Sequence, residues 1–167
     1  MVVKPAPFFN CSNVFAFCTF FMMQSRFHII RIFSRIHQFI YILSGGRIGK
    51  SWKGITFLLL TTVGKKSGKI RKAPLAAIPF GESYVVVASF GGSDVNPSWF
   101  VNLKYNAIAQ VRIGSTVKKS KVTIVTPKDL LYDDLWKKAV AIYSGFDKYK
   151  QATSREIPLV ILTPVNS

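Results

Sequence analysis

Five cations, two glycines, one serine and no acid occupy residues 64–72, in the order G-K-K-S-G-K-I-R-K. Glycine lets a backbone bend and approach a ligand closely. Lysine and arginine add point charge and forked hydrogen bonds. The chemistry that suits this pattern is the holding of phosphates or carboxylates. A strand-like run, 54–62, leads into it, so the cations fall on a turn at a strand end. A hairpin tip charged only for solubility would have the same composition. A second segment, A-S-F-G-G at 88–92, ends another apolar run, where a flat ring could pack against backbone. A plain turn between sheet and helix would look alike there too.

Strand-like segments at 55–62, 72–80, 83–89, 109–113, 118–125 and 157–162 must position these loops. Gly81-Glu82 reads as a hairpin turn, and Pro164 as a stop to the last strand. A short helix is expected over 96–106 behind Pro97, and a longer one over 127–143. Short strands, short turns and few helices favour an antiparallel barrel over a regular βαβ array. Neither a GxGxxG fingerprint nor a Walker A order occurs. Residues 1–43 read as an apolar and amphipathic helical extension, and 44–167 as the barrel domain. Within the extension, 14–23 is apolar but too short to span a bilayer. Over 27–43, His28, Arg31, Arg35 and Gln38 form a narrow polar stripe on an otherwise apolar helix. That helix suits either packing on the domain or lying on an anionic membrane.

The chain has 167 residues and a formal charge of +16, which fits one domain with a sizeable core. The charge is lopsided: residues 1–81 hold twelve basic residues and no acid, and 82–167 hold eleven basic and seven acidic. Such a field favours an acidic small molecule, an anionic membrane or nucleic acid. Cys11 and Cys18 form no zinc spacing, and His28 and His37 are the only histidines, so no metal site is expected. Nothing indicates a disulfide-stapled secreted fold; a reducing, cytoplasmic setting follows.

From Ser44 onward the sequence resembles the deazaflavin (F420)-dependent nitroreductase and quinone reductase family. The blocks that carry the likeness are S-G-G-R-I-G (44–49), L-L-L-T-T-V-G-K-K-S-G-K-I-R-K-A-P-L (58–75), V-V-V-A-S-F-G-G (85–92), N-P-S-W-F-V-N-L (96–103) and R-E-I-P-L-V-I-L-T-P (155–164). The resemblance implies an α+β fold: a mainly antiparallel split β-barrel of the FMN-binding type with flanking helices. It implies hydride transfer from reduced coenzyme F420, whose tail carries a phosphate and several glutamates, to a quinone-like or nitroaromatic acceptor. By that match, Lys65, Lys66, Ser67, Lys69 and Arg71 contact the acidic tail, and Pro74 fixes the next strand's entrance. Ala88, Ser89, Gly91 and Gly92 lie near the ring and phosphate. Arg47, Trp99 and Asn102 belong to the cofactor region, although Trp99 also suits a core anchor. Tyr143, Phe146 and Tyr149 are candidates for the acceptor opening. They could equally pack in the core around a helix end capped by Gly145. Ser89 and Tyr143 are candidates to protonate the acceptor. Members commonly carry a basic residue where this chain has Phe90. The alternatives are an FMN enzyme on the same barrel, or a non-catalytic nucleic-acid module, for which no recognised motif is present. A homodimer and a peripheral position on the inner membrane face are further expectations.

Overall fold

The structure is a computed structural model that describes residues 36, 39, 41, 43, 44, 51, 52 and 54–165. These belong to a compact unit, Ser34–Ser167. Arg47, the apolar run 14–23 and most of the extension expected over 1–43 lie outside the described residues. Among those described, no helix is long and apolar enough to cross a membrane.

The strands are β1 (Ser51–Trp52), β2 (Ile55–Val63), β3 (Ile70–Ala76), β4 (Ile78–Phe80), β5 (Ser83–Val87), β6 (Ile108–Ile113), β7 (Thr116–Val125) and β8 (Leu159–Pro164). The helices are α1 (Ser98–Leu103), α2 (Tyr132–Ile142) and α3 (Gly145–Gln151), and a single 3-10 turn spans Phe90–Gly92. All strand pairs are antiparallel, in the order β1-β2-β6-β7-β8-β5-β4, with β3 also beside β2. β3 and β4 are one run parted at Ala77. Its first part pairs with β2 and its second with β5, so one stretch of chain joins the two ends of the sheet and curls it. Pro74 and Pro79 lie in parts of this run paired on one side only, where a missing N–H leaves no gap in a second ladder. The expected split barrel with flanking helices is therefore the fold observed.

Strand alternation sorts the apolar residues into two cores. Leu58, Leu60, Val86, Val111, Val122, Val160 and Leu162 fill the barrel with Trp99, Phe100 and Leu103 of α1. Val85, Val87, Leu159 and Ile161 point the other way and pack under α2 and α3 with Tyr132, Leu135, Trp136 and Phe146. This double burial explains the unbroken apolar run in β8.

Several boundaries differ from the sequence reading. β8 runs through Pro164 instead of stopping before it. The long helix starts only at Tyr132, because the Thr126 amide and hydroxyl both donate to Asp129 Oδ2 (2.7 and 2.8 Å) and hold a turn there. Gly145 is not the cap of that helix. It opens α3, a separate helix, and the Tyr143 ring lies where a Cβ on Gly145 would sit.

Candidate active site

The basic turn joins β2 to β3. Val63 pairs with Ile70, leaving a six-residue loop, 64–69. It is closed by Gly64 N–H to the Lys69 carbonyl (2.9 Å) and Gly68 N–H to the Gly64 carbonyl (2.8 Å). Gly68 has φ +62°, a conformation that favours glycine. Asn102 of α1 holds the loop from below. Its Oδ1 accepts from the Lys65 amide (3.0 Å) and its Nδ2 donates to Thr62 Oγ1 (3.1 Å). Both Asn102 and Thr62 are buried, so the amide side chain is committed to positioning the turn. The Lys65 ammonium donates to the Tyr105 hydroxyl and lies 3.7 Å from the centre of its ring. That hydrogen bond pulls the Tyr105 phenol below its ordinary range. Lys66, Ser67, Lys69 and Arg71 are exposed. Among the described residues the one ion pair is Lys137–Asp134, on α2. The turn's charge is thus not neutralised by any described acid.

Strand parity divides the cations that follow. Ala73 and Leu75 face the barrel core, which places Arg71, paired with Thr62, on the same side of β3, and Lys72, paired with Thr61, on the opposite side. Arg71 therefore lies on the side of α1 and Asn102. Pro74 pairs with Leu59 in mid-strand.

The second loop leaves β5 at Ala88. Phe90, Gly91 and Gly92 all have positive φ (47°, 66° and 81°). For phenylalanine this is a strained conformation that its surroundings must impose. Arg155 imposes much of it. Its Nε donates to the Ser93 carbonyl (2.7 Å). Its Nη2 donates to the carbonyls of Ala88 and Ser89 (2.9 Å each). Its Nη1 donates to Asn96 Oδ1 (3.2 Å) and the Glu156 carbonyl (3.1 Å). One guanidinium thus uses all five donors on the 88–96 loop and its own neighbour. Burial lowers the Arg155 pKa, and the Asp94 carboxylate opposes that shift. Thr153 donates to Asp94 Oδ1 (2.6 Å) and extends the network to the end of α3.

α3 packs directly on this loop. A Cβ on Gly92 would lie 2.9 Å from Ala152 Cβ and 3.1 Å from the Tyr149 carbonyl, so close backbone approach requires the glycine. The aromatic candidates are brought together there. Tyr143 stands edge-on to Phe146 at 5.2 Å, and the Tyr143 and Tyr149 hydroxyls are 3.2 Å apart. Phe146 is buried, while Tyr143 keeps 38 % of its surface exposed. Below them Trp136 donates to Asp147 Oδ1 (2.9 Å) and stacks on Tyr132. The Tyr132 hydroxyl donates to the Ile157 carbonyl (2.9 Å), and burial pushes its pKa up to about 12.

The structure thus assembles the 88–92 loop and the 143–149 aromatics into one neighbourhood. It couples the 64–69 turn to α1, which follows that loop in sequence. Trp99 lies in the barrel core edge-on to Phe100, at 6.1 Å, as the anchor reading expects. Ser89 is buried at the start of the loop. Sequence reasoning gave Arg155 no firm role. Its charge before the last strand is visible, but nothing in the sequence shows that a loop sixty residues earlier offers it four oxygens.

Comparison with known proteins bears on what this neighbourhood serves. A model of the F420H(2)-dependent quinone reductase family matches residues 33–164. An F420H(2)-dependent quinone reductase of Mycobacterium tuberculosis (strain H37Rv) is 37 % identical over 133 residues, 77 % of this chain and 88 % of that protein. A solved F420-H2 dependent reductase is 36 % identical with a TM-score of 0.56, covering 64 % of this chain and 92 % of its own. Another solved chain, described as a domain-swapped dimer, is 31 % identical with a TM-score of 0.59, covering 75 % and 93 %. The chain belongs to the F420H(2)-dependent quinone reductase family.

Proposed function

We propose that this protein is an oxidoreductase that delivers hydride from reduced F420 to a quinone-like acceptor, with nitroaromatics as further substrates. The observation that carries the reading is the exposed cationic turn at 64–72, which no described acid neutralises. A phosphodiester followed by several carboxylates needs that many cations, whereas one FMN phosphate needs only a part of them. The residues present therefore fit the acidic coenzyme. Lys66, Lys69 and Arg71 hold its tail, and Ser67 adds a hydroxyl. Lys65 reaches it by leaving Tyr105. When bound, F420 supplies the hydride, so the chain needs no nucleophile of its own.

The protein's part is position, exclusion of water and proton supply. Arg155 fixes the backbone of Ala88 and Ser89, Gly91 adds no side chain to that surface, and Gly92 lets α3 pack close behind it. Tyr143, Phe146 and Tyr149 form an aromatic wall suited to a planar acceptor. The Tyr143 hydroxyl, partly exposed and paired with that of Tyr149, donates the proton to an acceptor oxygen in this reading, with the Ser89 hydroxyl as second candidate. Arg47 completes the cation set. Two copies associate, and the enzyme works in the cytoplasm at the inner membrane face. The test is anaerobic oxidation of F420H2 followed by absorbance, with a soluble menaquinone analogue as acceptor. Turnover that needs both supports the reading. Turnover with FMNH2 but not F420H2 would reject it.

A further inference from the structure

Tyr143, Phe146 and Tyr149 lie in and just before α3, whereas the 88–92 backbone belongs to the exit of β5. Two contacts at the end of α3 fix one segment against the other. The first is close packing. A Cβ on Gly92 would lie 2.9 Å from Ala152 Cβ and 3.1 Å from the Tyr149 carbonyl. Such packing bars α3 from moving nearer, while the dispersion attraction of a few atoms resists separation only weakly. The second contact pulls. The Thr153 hydroxyl, just beyond α3, donates to Asp94 Oδ1 (2.6 Å) and accepts from the Arg155 amide (3.3 Å). A carboxylate acceptor makes this a short, charge-assisted bond. Arg155 in turn holds the Ser93 carbonyl beside Asp94, and those of Ala88 and Ser89. The Thr153 hydroxyl is therefore the joint between the aromatic wall and the loop that Arg155 shapes.

We propose that Thr153 and Asp94 are positioning residues for hydride transfer, their bond setting the distance between the aromatic wall and the 88–92 backbone. This rests on the reading of those segments as the acceptor side and the coenzyme side. Hydride transfer needs its reacting atoms about 3–3.5 Å apart, and a misplacement of about 1 Å from a change far from the chemistry costs up to roughly 100-fold in rate. Both residues act through the segments they join. Asp94 is exposed and Thr153 half-buried, so their bond adds little to global stability. A bond that only steadied the exit of α3 would leave the transfer rate alone. A bond that sets a distance lowers that rate when cut, with folding and coenzyme affinity intact.

The experiment is single-turnover oxidation of F420H2 by the full chain with a saturating soluble menaquinone analogue. F420 titration and amide hydrogen exchange of the coenzyme-free protein accompany it. Thr153→Val removes the donor at constant shape and lowers the transfer rate about 10-fold, with the F420 Kd unchanged. Asp94→Ala does the same, and the double variant loses no more than either single one, because the two side chains act as one contact. Thr153→Ser keeps the hydroxyl and recovers most of the rate. Without coenzyme, Thr153→Val speeds amide exchange over 89–95 and 146–152 together, since both segments lose the same tie. Should Thr153→Val fail to fold, Asp94→Ala carries the test, with Asp94→Asn as its partial rescue. Equal transfer rates in the unmodified protein and both single variants overturn the proposal and leave the redox reading standing. So do losses that add independently in the double variant, or exchange that does not change. Absence of F420H2 oxidation in the unmodified protein overturns the redox reading, and this proposal with it.

Discussion

The two loops that flank the candidate cofactor region are held in opposite ways. The 64–69 turn keeps Lys66 and Lys69 in water, rests Lys65 on Tyr105, and is tied down by neutral bonds, two backbone bonds within the turn and two through Asn102. The 88–96 loop spends its one nearby guanidinium on itself, with four bonds from Arg155 and three successive positive φ values. Charge on the first is available to a ligand; charge on the second is structural. Counting basic residues near a site does not separate these cases. The hydrogen-bond partners do.

Removing the structural charge has the largest expected effect. Arg155→Ala leaves several buried carbonyls without donors, and stability falls by about 3–5 kcal/mol in urea unfolding. Arg155→Lys recovers little, since an ammonium cannot reproduce the fork. The opposite pattern is expected for Lys66→Gln, Lys69→Gln and Arg71→Gln together. Stability stays within about 0.5 kcal/mol, while F420 affinity at low salt falls roughly 150- to 2,000-fold, at roughly 1 to 1.5 kcal/mol for each of the three charge-assisted contacts. Asn102→Ala lies between them. It costs about 1–3 kcal/mol and weakens F420 binding without changing its salt dependence, because the cations remain. Phe90→Lys adds a cation to the second loop and tightens F420 binding by about 5-fold, measured by fluorescence titration.

A pH effect of smaller reach belongs to the second region. Burial raises the Tyr132 pKa from 10.0 to about 12 in the folded protein. The raised value means that the folded state prefers the neutral phenol. Its contribution is complete below pH 10 and is lost as pH rises through about 12. Thermal unfolding between those values shows the decline, and Tyr132→Phe removes that pH dependence at the cost of the bond to Ile157.

The barrel and the basic turn were legible in the sequence because both follow from local pattern. Alternating or doubly buried strands such as β2 and β5 announce themselves, and a charged glycine turn needs no distant partner to be recognised. The break in 70–80 at Ala77 was not legible, since it depends on which strand lies beside each half. Nor was α3, whose opening Gly145 is dictated by the Tyr143 ring overhead. The role of Arg155 and the Thr153–Asp94 bond depend on contacts between segments far apart in sequence. Asn102 was found as a cofactor-region residue through the family likeness, but the geometry commits its side chain to holding the turn.

The most direct measurement is a titration of F420 into the unmodified protein and the Lys66→Gln, Lys69→Gln, Arg71→Gln variant at low and high salt. The expected result is tight binding that weakens steeply with salt in the unmodified protein, and weak binding with a much shallower salt slope in the variant. Equal affinity and equal salt slope in the two proteins would contradict a coenzyme tail held by this turn.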